Sequence, residues 1–194
     1  MHLKYVLVPL IITFIPQIHT MKRHKKNPLT YLQSQPFQGR LTLAAQWIKD
    51  CNLVIEIGGA GNPISNFVKD KEIIVIDPAI STRAEPHATH IKKAFEQWEI
   101  PSDVFLKKYA VVILGLALDK MPEPGWKKLY NLIDTSQQTV VEYSTTYKPA
   151  KNQIKWIKKN IAKKVDQEIE LDLSKCDFSQ YSQVHPYRKM ICFK

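Results

Sequence analysis

The segment Glu56-Ile57-Gly58-Gly59-Ala60-Gly61-Asn62-Pro63 places one acid and three glycines at the end of an apolar run, Leu53 to Ile57. Glycine lets the backbone approach a ligand closely and adopt positive φ. A helix that begins near Asn62 and Pro63 would present free N–H groups to an anion such as a carboxylate. The spacing therefore predicts a strand, a ligand-binding turn and a helix that continues to about Asp70.

A second acid, Asp77, ends the next apolar run, Ile73 to Ile76, twenty-one residues after Glu56. An acid at this point of an α/β sheet can hydrogen-bond both ribose hydroxyls of a nucleoside. A dinucleotide fingerprint matches poorly, because Ile64 stands where a third Gly or Ala is needed and Glu56 would repel a pyrophosphate. An acid before the loop suits a ligand with a positive amino group and no phosphate. S-adenosylmethionine fits this description.

The elements that must position these residues alternate between apolar runs and helical patterns, which is typical of a parallel sheet covered on both faces. Besides the two strands already described, strands are predicted near Ala88–Ile91, at Tyr109–Leu114 and from Thr139. Helices are predicted at Leu41–Cys51, Pro124–Asp134 and Ala150–Lys163.

The last two predicted strands differ from the others. Ile169, Leu171 and Leu173 alternate with acidic residues, as in a half-exposed edge strand, whereas Met190 to Phe193 is continuously apolar, as in a central strand. No helix-length segment separates them, so we expect them to pair antiparallel.

These features together resemble the class I, seven-stranded S-adenosylmethionine-dependent methyltransferases. The resemblance covers about residues 40–194 and rests on the loop Glu56–Gly61, on Asp77-Pro78, on the run Tyr109–Leu114 with Gly115-Leu116, and on the final antiparallel pair. It implies an α/β fold: a Rossmann-like, doubly wound, mostly parallel seven-stranded sheet with an antiparallel last strand. It also implies in-line methyl transfer from S-adenosyl-L-methionine to an acceptor that the sequence does not identify.

The cofactor-binding positions implied by the resemblance are Glu56, Gly58, Gly59, Ala60, Gly61, Asp77, Pro78, Gly115 and Leu116. The loop would cradle the methionine part, the acid after the second strand would bind the ribose, and the last two positions would lie beside the sulfonium and the substrate. Ala60 and Asn62 replace glycines common in the family. Lys92-Lys93 stands where an acid often binds the adenine amine, so Ile91 or Phe95 is expected to pack on that ring.

Residues after the fifth strand, Tyr143, Ser144 and Tyr147, are candidates for substrate contact or for simple capping of the strand end. No catalytic side chain is predicted, because the cofactor itself supplies the activated group. The three cysteines form no Cys/His cluster, so no metal site is predicted. The altered loop and the missing adenine acid leave an alternative, a non-catalytic nucleoside-binding or scaffold module.

The net charge of +10 is concentrated in two blocks. Residues 1–49 and 145–165 each contribute +7 without a single acid, which leaves −4 for the rest of the chain. The basic cluster 21–26 and the predicted lysine helix 150–163 are either solvated surfaces or weak contacts for RNA or acidic lipid. The methyl acceptor can be a small molecule, a protein or RNA.

The first 38 residues are predicted to precede a methyltransferase-like domain at 39–194. Residues 5–18 form an apolar run that is short for a membrane span, which needs about 20 residues. Three interpretations stay open: a marginal membrane anchor, a weak signal peptide, or an upstream extension with Met21 as the start. The sparse cysteines favour a cytoplasmic location, with membrane association if residues 5–18 insert.

Overall fold

The computed structural model describes residues 36–59, 63–79, 87–172 and 187–194. Within these ranges the chain forms seven strands and three α-helices. The strands are β1 (Leu53–Ile57), β2 (Glu72–Ile76), β3 (Ala88–Ile91), β4 (Tyr109–Ile113), β5 (Gln138–Ser144), β6 (Val165–Asp172) and β7 (Tyr187–Phe193). The α-helices are α1 (Pro36–Trp47), α2 (Glu123–Thr135) and α3 (Lys148–Asn160), and short 3-10 helices lie at Ile64–Asn66, Phe95–Gln97 and Ser102–Leu106.

All seven strands belong to one sheet, in the order β3-β2-β1-β4-β5-β7-β6. The pairs among β1 to β5 are parallel, and β7 is antiparallel to both β5 and β6. This arrangement confirms the predicted doubly wound sheet and its final antiparallel strand. The strand order reverses between β1 and β4, and in open α/β sheets ligands bind beyond the carboxyl ends of the strands at such a point.

Helices cover both faces of the sheet, which is why β1 and β4 are buried along their whole lengths. Apolar residues of α1 and Ile64 pack with Val54 and Val112 on one face. Residues of α2 and α3 pack with Ile55 and Ile57 on the other. Because side chains alternate along a strand, Glu56 points to the same face as Val54, under α1.

The predicted helix from Asn62 to Asp70 is wrong. The structure has only the 3-10 helix Ile64–Asn66, and Asn62 itself lies outside the described residues. Ser65 and Asn66 have low helix propensity, which opposes a longer helix. The Ile64 N–H donates to the buried Glu56 side chain, as a free N–H in the first turn of a helix can.

Several predictions from the sequence concern residues at or beyond the limits of the described ranges. Among the helices in the described ranges, none is long and apolar enough to span a bilayer. Residues 5–18 and the basic cluster 21–26 lie outside the described residues, as does Leu173. Helix α1 begins at Pro36, so the predicted boundary after residue 38 falls inside a helix.

Candidate functional site

The carboxyl ends of β1, β2 and β4 meet at the point where the strand order reverses. Gly58 follows β1, and its N–H donates to the carbonyl of Ile76 at the end of β2 (2.9 Å). Asp77 follows β2, and its N–H donates to the carbonyl of Ile91 at the end of β3 (3.1 Å). These bonds hold two of the predicted cofactor-binding positions, Gly58 and Asp77, at the ends of adjacent strands.

The turn after β1 requires glycine at two positions. Gly58 and Gly59 have φ values of +82° and +112°. A Cβ atom at Gly58 would lie 2.6 Å from the Ala117 Cβ atom, and one at Gly59 would lie 2.7 Å from the Glu56 carboxyl carbon. The backbone of this turn is therefore packed against the loop after β4 and against Glu56. Ala60 and Gly61 lie outside the described residues.

Glu56 is buried beneath this turn, with 1% of its surface exposed. The Ile64 N–H donates to its Oε1 at 3.0 Å and its Oε2 at 2.8 Å. Burial raises the pKa of Glu56 to about 8, against the opposing effects of the Ile64 N–H and Arg40. The carboxyl group thus ties the two ends of the glycine turn together, a role the sequence did not suggest.

Asp77 lies at the end of β2, half-buried, and its Oδ1 accepts the Ala79 N–H at 2.8 Å. Pro78 is exposed beside it. Of the two residues predicted to pack on adenine, Ile91 is half-buried at the end of β3. Phe95 belongs to the core and is 5% exposed, with the Lys128 Nζ atom 5.6 Å from its ring centroid. Ile91 is therefore the more accessible of these two residues.

Gly115 follows β4 with a φ of +67°, and Leu116 beside it is half-buried. The Gly115 N–H donates to Glu142 Oε2 at 3.0 Å, and its carbonyl accepts a bond from Arg188 Nη2. Both polar groups of this residue are thus fixed by buried side chains from β5 and β7. Apart from Gly115 itself and its two chain neighbours, no described atom lies within 4 Å of the Cβ position at Gly115, so the turn is open on that side.

A buried ionic cluster, formed by Arg40, Asp119, Glu142 and Arg188, lies beneath the turn after β4. Glu142 binds both arginines, and Arg188 Nη1 lies 2.9 Å from Asp119 Oδ2. Burial raises the pKa of Glu142, but the two guanidinium groups and the Gly115 N–H outweigh burial and lower it overall. Each cluster side chain is at most 7% exposed. Sequence analysis missed this cluster; its signal was one acid inside the apolar strand Thr139–Tyr143.

The three candidate substrate residues all lie near the carboxyl end of β5. Tyr143 packs in the core on the α2 and α3 face and is 7% exposed. The Ser144 hydroxyl accepts N–H bonds from Thr146 (3.2 Å) and Tyr147 (3.1 Å), and so caps the strand end. Tyr147 is half-buried and immediately precedes α3. Among these three, Tyr147 is the most exposed, although it also packs against the core on the α2 and α3 face.

No profile of a known protein family matches the chain, and no curated protein sequence matches it. Solved structures do match. The N-methyltransferase NodS from Bradyrhizobium japonicum superposes with a TM-score of 0.57 at 13% identity, over 84% of this chain and 98% of that one. A candidate tRNA (m1A22) methyltransferase from Streptococcus pneumoniae, solved with S-adenosyl-L-methionine, gives 0.54 at 9% identity, over 80% and 71% of the two chains.

Magnesium protoporphyrin IX methyltransferase from Synechocystis, also solved with bound S-adenosylmethionine, gives a TM-score of 0.51 at 11% identity, over 85% and 79% of the two chains. All three are described as methyltransferases. Because their sequence identities to this chain are low, the likeness concerns the fold alone. This likeness agrees with the strand order and with the antiparallel β7. The chain has the α/β fold of the S-adenosylmethionine-dependent methyltransferases.

Proposed function

We propose that this protein binds S-adenosylmethionine at the carboxyl ends of β1, β2 and β4 and transfers its methyl group to an acceptor. The observation that carries the proposal is the pairing of two features at the strand-order reversal. One is a turn in which Gly58 and Gly59 leave no room for side chains, and the other is Asp77 on the next strand. A backbone without side chains and a carboxylate one strand away suit a nucleoside that carries a charged amino acid.

Each predicted cofactor-binding residue has a role in this proposal. Asp77 accepts hydrogen bonds from the ribose hydroxyls, and the glycine turn, continued by Ala60 and Gly61, lies along the methionine part. Pro78 and Ile91 border the adenine. Glu56 acts beneath the turn by fixing its shape through the Ile64 N–H.

The cofactor, when bound, supplies an activated methyl group on a sulfonium, so the chemistry asks little of the protein beyond orientation. Gly115 and Leu116 lie at the side of the site where the sulfonium and the acceptor would meet. The buried cluster holds both polar groups of Gly115, which gives this turn one geometry. A turn held in this way can align the cofactor and the acceptor without acting as an acid or a base.

Methyl transfer is tested with methyl-labelled S-adenosylmethionine and size-fractionated cell extract. We expect label to pass to one class of acceptor, whether small molecule, protein or RNA, and to do so more weakly with Asp77→Asn. Asp103→Asn is the matched control, because Asp103 is an exposed carboxylate in the 3-10 helix that precedes β4, at the opposite edge of the sheet. Cofactor binding without any transfer would overturn the proposed reaction and favour the non-catalytic module.

A further inference from the structure

The solvent side of α3 carries a stripe of lysines. Lys148, Lys151, Lys155 and Lys159 are spaced three, four and four residues apart, so they share one side of the helix. All four are exposed, and none of them forms an ion pair with another described residue. By contrast, Lys158 on the neighbouring side of the helix is paired with Glu168 of β6 at 2.9 Å. The stripe is therefore a line of positive charge about 16 Å long.

An aromatic row lies beside this stripe. The Trp156 ring stacks on Tyr130 of α2, with centroids 4.0 Å apart and planes 24° apart, and Tyr130 contacts Trp126 at 6.2 Å. Trp126 is anchored in the core by a bond from its Nε1 atom to the Met121 carbonyl. Trp156 is 43% exposed, whereas the other three tryptophans of the chain are at most 6% exposed. A large aromatic ring is thus held rigidly at the surface with part of its area in water.

We infer that this surface, the lysine stripe with Trp156, binds single-stranded nucleic acid. Successive phosphates match a line of lysines, and a fixed aromatic ring offers a stacking platform for a base. The surroundings of Trp156 oppose a lipid bilayer as the partner, because its exposed helix neighbours Asn152, Lys155, Lys159 and Asn160 are all polar. Membrane insertion needs a continuous apolar face.

The stripe begins close to the proposed methyl-transfer site. Lys148 is the first residue of α3 and follows the carboxyl end of β5 by four residues. A strand bound along the stripe would therefore lead toward the edge of the sheet that holds Asp77 and Gly115. The inference concerns binding and stands whether or not the chain transfers methyl groups.

The experiment measures binding of fluorescein-labelled oligouridylate and oligothymidylate to the full chain at several salt concentrations. The variant K151Q/K155Q/K159Q should weaken binding and reduce the steepness of log affinity against log salt by about 2. Each lost phosphate contact reduces it by about 0.7, and the variant loses three contacts. The control K49Q/K69Q/K108Q removes the same charge from exposed lysines at the opposite edge of the sheet and should leave the slope unchanged. The tighter of the two probes identifies RNA or DNA as the ligand.

Trp156 gives an independent readout. Trp156→Ala should weaken binding about tenfold or more, whereas Trp156→Phe should retain most of it, because base stacking needs an aromatic face. Bound oligonucleotide should also protect Trp156 fluorescence from iodide quenching. The inference is overturned if the two triple variants, K151Q/K155Q/K159Q and K49Q/K69Q/K108Q, reduce oligonucleotide affinity equally. It is also overturned if Trp156→Ala binds like the wild type, or if phosphatidylserine vesicles bind the stripe and the oligonucleotides do not.

Discussion

Replacement of Glu142 by Gln removes one negative charge from the centre of the buried cluster and keeps the shape of the side chain. In the folded chain Glu142 is 1% exposed, and it is bound to both Arg40 and Arg188 and to the Gly115 N–H. Loss of one partner from a buried ion pair costs about 3–5 kcal/mol. Arg188 keeps its bond to Asp119, so we expect the lower end, about 3 kcal/mol.

Urea unfolding followed by circular dichroism measures this loss. The midpoint should fall with no change in the m-value, and Tm should fall by roughly 6–12 °C for a chain of this length. Glu170→Gln is the control, since Glu170 is an exposed acid of β6 whose bond to Lys189 lies at the surface. If Glu142→Gln is as stable as the wild type, the claim that the charge of Glu142 stabilises the fold through the cluster is refuted.

Three further predictions concern the same edge of the sheet. Gly59→Ala should destabilise the chain more than Gly115→Ala, because both have positive φ but only Gly59 lacks room for a Cβ atom; equal urea midpoints would contradict this. Glu56 has a raised pKa, so its contribution to stability is full below about pH 4.5 and is lost as pH rises toward 8. As pH rises from 5 to 8, the unfolding free energy of Glu56→Gln should therefore increase relative to that of the wild type. A difference that stays constant across this window would refute the raised pKa of Glu56. Arg188→Lys should lower the thermal midpoint, because a lysine cannot bind Glu142, Asp119 and the Gly115 carbonyl together; an unchanged midpoint would show that the forked geometry is dispensable.

The sequence predicted most of the sheet because its strands are buried on both faces. The continuous apolar runs of β1 and β4 and the position of Asp77 directly after β2 are local features, and the structure matches them. The contrast between the acidic β6 and the apolar β7 was enough to predict the final antiparallel pair.

The buried cluster could not be predicted in the same way. Glu142 meets Arg40 across 102 positions of the chain and Arg188 across 46, and these contacts depend on strand order and register. The bond from the Ile64 N–H to Glu56, eight positions earlier, could not be predicted for a related reason, because no local pattern in the sequence signals it.

Cofactor binding is the central claim, and calorimetric titration of the full chain with S-adenosylmethionine tests it most directly. We predict one site per chain, with affinity reduced about tenfold or more in Asp77→Asn, because a hydrogen bond to a charged group contributes about 1.5–3 kcal/mol. Asp103→Asn should bind like the wild type. Absence of binding by the wild type, or equal affinity in Asp77→Asn, would contradict the proposed site.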